Sequence, residues 1–341
     1  MKDENLIFRK IVSTSRIVEQ HPAIWHDEYK KRLFDISCPR GSKHSGEIQV
    51  SRWNALPLPE SVSIDGVITE FIFRQDTFQY EAGSDENLVE WYLNFADGDL
   101  FLSYGSGLMA QDEHQVAEHP ILGSVREMLA SLSETNRIYD PCTRDYTRSD
   151  HNPPTPILIM GAQRRIIVDT SANIEQGRPD GLYGNLFSAA SWETIEKAVK
   201  RIDSPTITNI IAMEAPSSGK GRYTLEQIVD VFQTAYTAFS AARTESRTCE
   251  GEGVEIKIHT GNWGTGAYGG NKILMAYLQF LSAAAANIDT LVFHSRDNIS
   301  CQEAYQLFAG RLESSKPEMN VMKHLKELAG MGFQWGVSDG N

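Results

Sequence analysis

Nothing in this chain of 341 residues is long and apolar enough to span a bilayer as a helix: the most apolar stretch, Ile273 to Ala286, is too short and carries Tyr277 and Gln279. The N-terminus, Met1-Lys2-Asp3-Glu4-Asn5, is charged and lacks the apolar centre of a secretory signal. The expected location is therefore intracellular, cytoplasmic or nuclear, with no membrane partner. Cysteine is scarce, and Cys38, Cys142, Cys249 and Cys301 are scattered without a CxxC pair, which excludes a disulfide framework or a zinc knuckle. The nine histidines form no HxxxH or HExxH pattern, so His114, His259 and His294 read as structural. No metal and no cofactor are expected. Positive charge is also short, at 32 Lys and Arg against 45 Asp and Glu, and the net charge of −13 excludes broad attraction to nucleic acid. A small anionic ligand stays open, because backbone N–H groups bind phosphate without net positive charge.

What is present divides unevenly. Residues 1–85 differ from the rest: Leu6 to Glu19 and Trp25 to Ile36 carry helix-like apolar spacing, and Pro39 to Ser63 is a Pro/Gly/Ser-containing stretch. This reads as an accessory helical or mixed extension, with the catalytic-type domain at 86–341. Beyond it, short apolar runs alternate with helical patterns and no repeat is visible. Leu88–Ala96, Pro156–Gly161, Thr206–Met213, Glu255–Thr260 and Thr290–His294 are predicted strands. Thr224-Leu-Glu-Gln is a capping box that opens a helix, and a second helix runs from Asn271 to Ala286. Alternating strands and helices predict a layered α/β domain.

The most informative stretch runs from His259 to Lys272. It follows a predicted strand and opens a helix, the setting in which loop amides and a helix N-terminus meet a phosphate. Gly261, Gly264, Gly266, Gly269 and Gly270 put five glycines into ten residues, too many for an ordinary strand–helix turn. Gly264 to Gly269 also satisfies GxGxxG, with Asp289 twenty residues on. That fingerprint opens its domain, whereas only about 70 residues follow here, and its acid closes the next strand while Asp289 starts one. A Rossmann dehydrogenase is rejected.

A second constellation combines Asn94-Phe-Ala-Asp97, Gly105-Ser-Gly107 and Gln111-Asp112-Glu113. Alone, Asp112 and Glu113 would read as acids on a solvated first helical turn. A carboxyl kept partly protonated by burial or by a neighbouring carboxylate can also supply a proton to a leaving atom.

The run Thr260-Gly-Asn-Trp-Gly-Thr-Gly-Ala-Tyr-Gly-Gly, its alanine-rich helix and the strand Leu291-Val-Phe293 resemble the C-terminal part of the poly(ADP-ribose) glycohydrolases. The resemblance extends with gaps from about Asn87 to about Asn298, and Ile210 to Ala215 is similar to the family's preceding core strand. It implies a macrodomain-like three-layer α/β/α fold with a mixed central sheet, and an ADP-ribosyl glycohydrolase. Carried over by position, Glu113 becomes the catalytic acid, Asp112 the ligand of the distal ribose, and Gln111 a residue beside the ligand. Asp97 stands where the family has asparagine. Gly264, Gly266, Ala267, Tyr268, Gly269 and Gly270 form the implied diphosphate cradle, with Phe293 close by.

The departures are specific. The family's triple glycine falls on Phe101-Leu102-Ser103, with Gly105 and Gly107 expected to take over its role. Gln-Glu-Glu has become Gln-Asp-Glu, the adenine-stacking aromatic is Ser295, and Ala-Gln-Arg-Arg after Gly161 lacks the tyrosine that clasps polymer. The implied ligand is ADP-ribose, on a polymer or on a protein. Release of single ADP-ribose units from a protein side chain, arginine included, and silent recognition of ADP-ribosylated partners are the alternatives.

Overall fold

A computed structural model describes residues 3–64, 68–81, 85–135, 147–148, 153–216, 219–296, 298–315 and 317–340; Cys142 lies outside the described residues. The elements run β1 (Leu6–Ser13), α1 (Thr14–Gln20), α2 (Glu28–Ser37), β2 (Glu47–Trp53), β3 (Ser61–Ser63), β4 (Glu70–Arg74), β5 (Leu88–Ala96), α3 (Gln111–Glu118) and α4 (Ile121–Thr135). They continue with β6 (Ile157–Val168), α5 (Leu186–Ala189), α6 (Trp192–Lys197), β7 (Val199–Glu214), α7 (Leu225–Glu250) and β8 (Glu255–Gly261). The chain closes with α8 (Lys272–Ala286), β9 (Thr290–His294), α9 (Asn298–Ser314), β10 (Glu318–Asn320) and α10 (Val321–Gly330).

Eight strands form one sheet in the order β1-β2-β6-β7-β5-β8-β9-β4, and β3 pairs with β10 apart from it. The β1, β2, β6 and β7 neighbours pair antiparallel, whereas β7, β5, β8, β9 and β4 pair parallel, so the sheet is mixed as expected. Side chains of a strand alternate between faces, and each face has its own core. On β7, Ile211 and Met213 join Val231, Phe232 and Leu278 of α7 and α8, while Ile210 and Ala212 join Ile17, Leu122 and Val125 of α1 and α4. Helices therefore cover both faces. The layers are α/β/α.

Local signals explain the helices that frame the site. Thr224 Oγ1 accepts from Gln227 N while Gln227 Oε1 accepts from Thr224 N, the reciprocal capping predicted for α7. Asn271 Oδ1 caps α8 by accepting from Leu274 N at 3.0 Å. Caps of this type contribute about 1 kcal/mol.

The N-terminal quarter departs from its sequence expectation. Leu6 to Glu19, expected as one helix, is strand β1 followed by the short helix α1, and the stretch Pro39 to Ser63 contains β2. Tertiary pairing overrides the local pattern here: Lys10 and Val12 register against Val50 and Ile48, whose side chains are fully buried. The boundary expected at residue 85 also cuts across the sheet, since β1, β2 and β4 all precede it.

Candidate active site

The carboxyl ends of the parallel strands converge on one cavity of about 580 Å³. Open α/β sheets bind ligands at this edge. Strand β5 delivers Asp97 just past its end, and strand β8 runs straight into the glycine loop. Helix α3 brings Gln111, Asp112 and Glu113 to the wall on its first turn, and Gly264, Gly266, Ala267 and Tyr268 line the opposite side. Two segments 150 residues apart thus face a common space, and that space is not filled by packed side chains.

Helix α3 is clamped at both ends. Gln111 Oε1 accepts from Phe95 N (2.7 Å) and its Nε2 donates to Leu93 O (3.0 Å), so both ends of the amide are spent on the backbone of β5. At the other end the buried Glu118 takes Val168 N (2.7 Å) and pairs with Arg164 Nη2 (2.8 Å), whose guanidinium also lies over the Tyr80 ring. Between the clamps, Asp112 and Glu113 are 8% and 4% exposed. Asn94 Nδ2 donates to Asp112 Oδ1 at 3.0 Å and to Gln115 Oε1 at 2.9 Å, which fixes the Asp112 carboxyl. Glu113 differs, because its buried Oε2 has no hydrogen-bond partner.

Burial lifts both carboxyls above the ordinary carboxylate range. For Asp112 the neighbouring Glu113 adds to the rise, and the Asn94 hydrogen bond opposes it. For Glu113 the Lys30 ammonium and the N–H groups of Glu113 and Ala110 pull the other way, while Asp97 pushes up. The pair holds a proton more tightly than two isolated acids would. A buried oxygen without a partner, on a carboxyl whose proton affinity is raised by burial, is what protonation of a leaving group requires.

The facing loop is built for close approach. Gly264 has φ +71°, and a Cβ there would lie 2.5 Å from Ala215 Cβ and 2.9 Å from Met275 Cε. Trp263 anchors the turn by donating from Nε1 to Met213 O at 3.0 Å. Gly269 and Gly270 brace the loop from behind: Gly270 N donates to Gly264 O, and Gly269 O accepts from Gly336 N. Among the described residues, the N–H groups of Gly264, Gly266, Ala267 and Tyr268 donate to no protein acceptor. Four unspent amides beside the capped N-terminus of α8 are groups that could hold an anion.

Other expectations fare differently. Gly105 and Gly107 do not line the cavity. Gly105 abuts Ile24, whose carbonyl oxygen would lie 2.4 Å from an added Cβ, and Gly107 packs against Ser188 and Asp27. Phe101, where the resemblance implies glycine, holds φ +54° with a fully buried ring, so core packing compensates a left-handed backbone that costs about 1–2 kcal/mol. Phe293 lies in the core against Phe280 and does not line the cavity. Asp97 lies exposed at the mouth, accepting from Tyr268 OH (3.1 Å) and Asp99 N (3.1 Å). His294 is in the wall, hydrogen-bonded to His259 (3.0 Å) and to Asp76 Oδ1 (3.0 Å), and burial pushes it down to about 4.

Several wall residues had no motif to announce them. Asp76, Thr77 and Phe78 come from the segment after β4, and Asp339 comes from the C-terminal tail. The tail is tied over the loop: Trp335 stacks on Tyr223 at 4.2 Å, Asn271 Nδ2 donates to Gln334 O, and an added Cβ on Gly266 would lie 3.2 Å from Asp339 Oδ2. Behind the acids sits Lys30 of α2, fully buried.

The sequence of residues 179–303, which contains the whole glycine loop, matches the family described as poly(ADP-ribose) glycohydrolase, macro domain fold. Residues 179–303 belong to that family. The match takes in β7, α7, β8, α8 and β9 and stops short of Asp112 and Glu113. Solved poly(ADP-ribose) glycohydrolases are similar in fold. The Thermomonospora curvata protein, bound to the inhibitor ADP-HPD, is 16% identical with a TM-score of 0.47, over 87% of this chain and 96% of that one. The Deinococcus radiodurans protein in complex with ADP-ribose is 14% identical with a TM-score of 0.41, over 90% and 94%. No curated protein matches the sequence.

Proposed function

We propose that the chain is an ADP-ribosyl glycohydrolase that hydrolyses the glycosidic bond at the anomeric carbon of ADP-ribose attached to a polymer or a protein. One observation carries the reading: unspent loop amides and a buried pair of carboxyls, both raised above the ordinary carboxylate range by burial, share a single cavity. A volume of about 580 Å³ falls in the range of small-molecule and cofactor sites, roughly 300–1,000 Å³.

In this reading the diphosphate lies on the amides of Gly264 to Tyr268, and the two ends of the ligand extend in opposite directions. Phe78 and Phe95, both in the wall, offer the base an aromatic surface that Ser295 does not. Toward the acids, Asp112 accepts from the distal ribose hydroxyls. Glu113 gives its proton to the leaving oxygen as the bond from the anomeric carbon to that oxygen breaks. Water then adds to the anomeric carbon, and its proton returns to the Glu113 carboxylate.

A second reading, release of ADP-ribose from an arginine side chain, draws support from Asp97. Its exposed carboxylate at the mouth suits a departing guanidinium. The deciding experiment incubates the protein separately with poly(ADP-ribose) and with protein mono-ADP-ribosylated on arginine, and follows free ADP-ribose by chromatography. Release from polymer supports the first reading and release from arginine alone the second. Binding of ADP-ribose without release from either makes the chain a reader, and no binding at all removes the proposal.

A further inference from the structure

Helix α2 reaches the acidic end of the cavity from behind. Asp27 caps it, accepting from Tyr29 N (2.9 Å) and Lys30 N (3.0 Å). The segment leading into it is fastened to the turn that joins Asp97 to α3. Ile24 N donates to Tyr104 OH at 2.6 Å, and His26 N and Asp27 N both donate to Gly105 O at 2.9 Å. Gly105 has no room for a side chain at this seam. Helix α2 therefore cannot shift without moving the turn that carries the acids.

The side chain delivered through this seam is Lys30. It is fully buried, its Nζ donates to Tyr104 O at 3.1 Å, and the Phe187 ring lies 5.8 Å away. That is one acceptor for three ammonium protons. A lysine is almost never fully buried without carboxylate company, and the carboxylates in electrostatic reach are Glu113, Asp112 and Asp27. Glu113 meanwhile keeps a buried oxygen without a hydrogen-bond partner.

We propose that Lys30 is a positioning residue for the Glu113–Asp112 pair, its buried ammonium carried in by the docking of α2 and acting on the two carboxyls from behind the cavity wall. The inference rests on the hydrolase reading for its catalytic consequence, though not for its electrostatics. Lys30 does not line the cavity. It acts through Glu113. The charges facing the pair are Lys30 from α2 and Asp97 from the end of β5, with the neutral Tyr183 phenol before α5 as a further titratable neighbour of Glu113; those facing Lys30 are Asp27, Asp112 and Glu113. Burial lowers the Lys30 ammonium to about 8, so it is charged at neutral pH and discharges in mildly alkaline solution.

The sign follows directly. A nearby cation favours the ionised carboxyl, so its removal makes the pair retain its proton to higher pH. The test compares the full-length protein with Lys30→Met and Lys30→Arg. In carboxyl-resolved NMR titrations of the ligand-free proteins, the Glu113 and Asp112 midpoints should move to higher pH in Lys30→Met and stay near wild type in Lys30→Arg. In the hydrolase assay the alkaline limb should move the same way, and kcat near neutral pH should change at least threefold with KM within twofold. If Lys30→Met does not fold, Lys30→Gln supplies the same comparison. Carboxyl midpoints indifferent to loss of the charge would overturn the proposal. Wild-type protein without hydrolase activity would overturn the functional reading alone, leaving the NMR result to stand.

Discussion

At the scale of single residues, the division of labour between two adjacent acids is the central point. A helix turns roughly 100° per residue, so Asp112 and Glu113 cannot point the same way. The Asn94 amide holds Asp112, whereas the Glu113 Oε2 is left without a partner. Glu113→Gln should keep ADP-ribose binding within threefold and lower kcat by at least 100-fold, in line with the usual contribution of a general acid. Calorimetry and timed product analysis check the two halves separately. Burial raises the Glu113 carboxyl; with Glu113 as the proposed acid, its protonated form is the one that works, so kcat/KM should fall as pH rises through that raised value. A pH–rate profile that loses this limb in Glu113→Gln would assign it. Asp339 makes an independent prediction. With the diphosphate seated as proposed, the Asp339 carboxylate beside Gly266 would face a like charge, so Asp339→Asn should tighten ADP-ribose binding by about threefold to tenfold, on the order of 1 kcal/mol.

At the scale of elements, the glycine loop and helix α3 are rigid parts. Gly270→Ala would drive a Cβ to 2.5 Å from Gly264 O, a backbone atom that cannot swing aside. A loss of about 1–3 kcal/mol in stability is expected from the forced backbone shift, read as a lower Tm, with ADP-ribose affinity falling more than tenfold. Gly253, where an added Cβ meets nothing within 4 Å, is the control position and Gly253→Ala should leave binding unchanged. Much of this was legible in the sequence. Strands β5 and β9 run from Leu88 to Ala96 and from Thr290 to His294 as predicted, and the capping box at Thr224 and the helix after Asn271 were read correctly. These elements are parallel core strands and long capped helices, whose apolar periods and end signals are strong and local. The edge strands β1 and β4, and β2 beside the first of them, escaped. Their burial patterns are set by one neighbour each or by a single covered face, and β1 shows no clean alternation at all.

At the scale of the molecule, residues before 86 supply three of the eight strands of the sheet, on both of its edges. They also supply Lys30 behind the acids and Phe78 in the cavity wall. We propose that the segment is part of the catalytic unit and not a detachable accessory. A protein starting at residue 86 should therefore fail to give a cooperative thermal transition, because β6 and β9 would be left as apolar edges. Cooperative unfolding and ADP-ribose binding by residues 86–341 alone would contradict this.

The amino-acid order determined what is local and chemical. The glycines that leave loop amides unspent, the caps that start α7 and α8, and the acids on the first turn of α3 are all fixed by neighbours within a few positions. Which distant groups meet was decided by the sheet. Only the order of the parallel strands sets Glu113 opposite Gly264, turns Gly105 and Gly107 toward the N-terminal segment, buries Phe293 away from the cavity, and brings Lys30 behind the acids and Asp339 to the cavity wall from opposite ends of the chain. Spacing along a chain carries a period, and a period reveals a face. It carries no record of what that face will touch once strands far apart in sequence have paired.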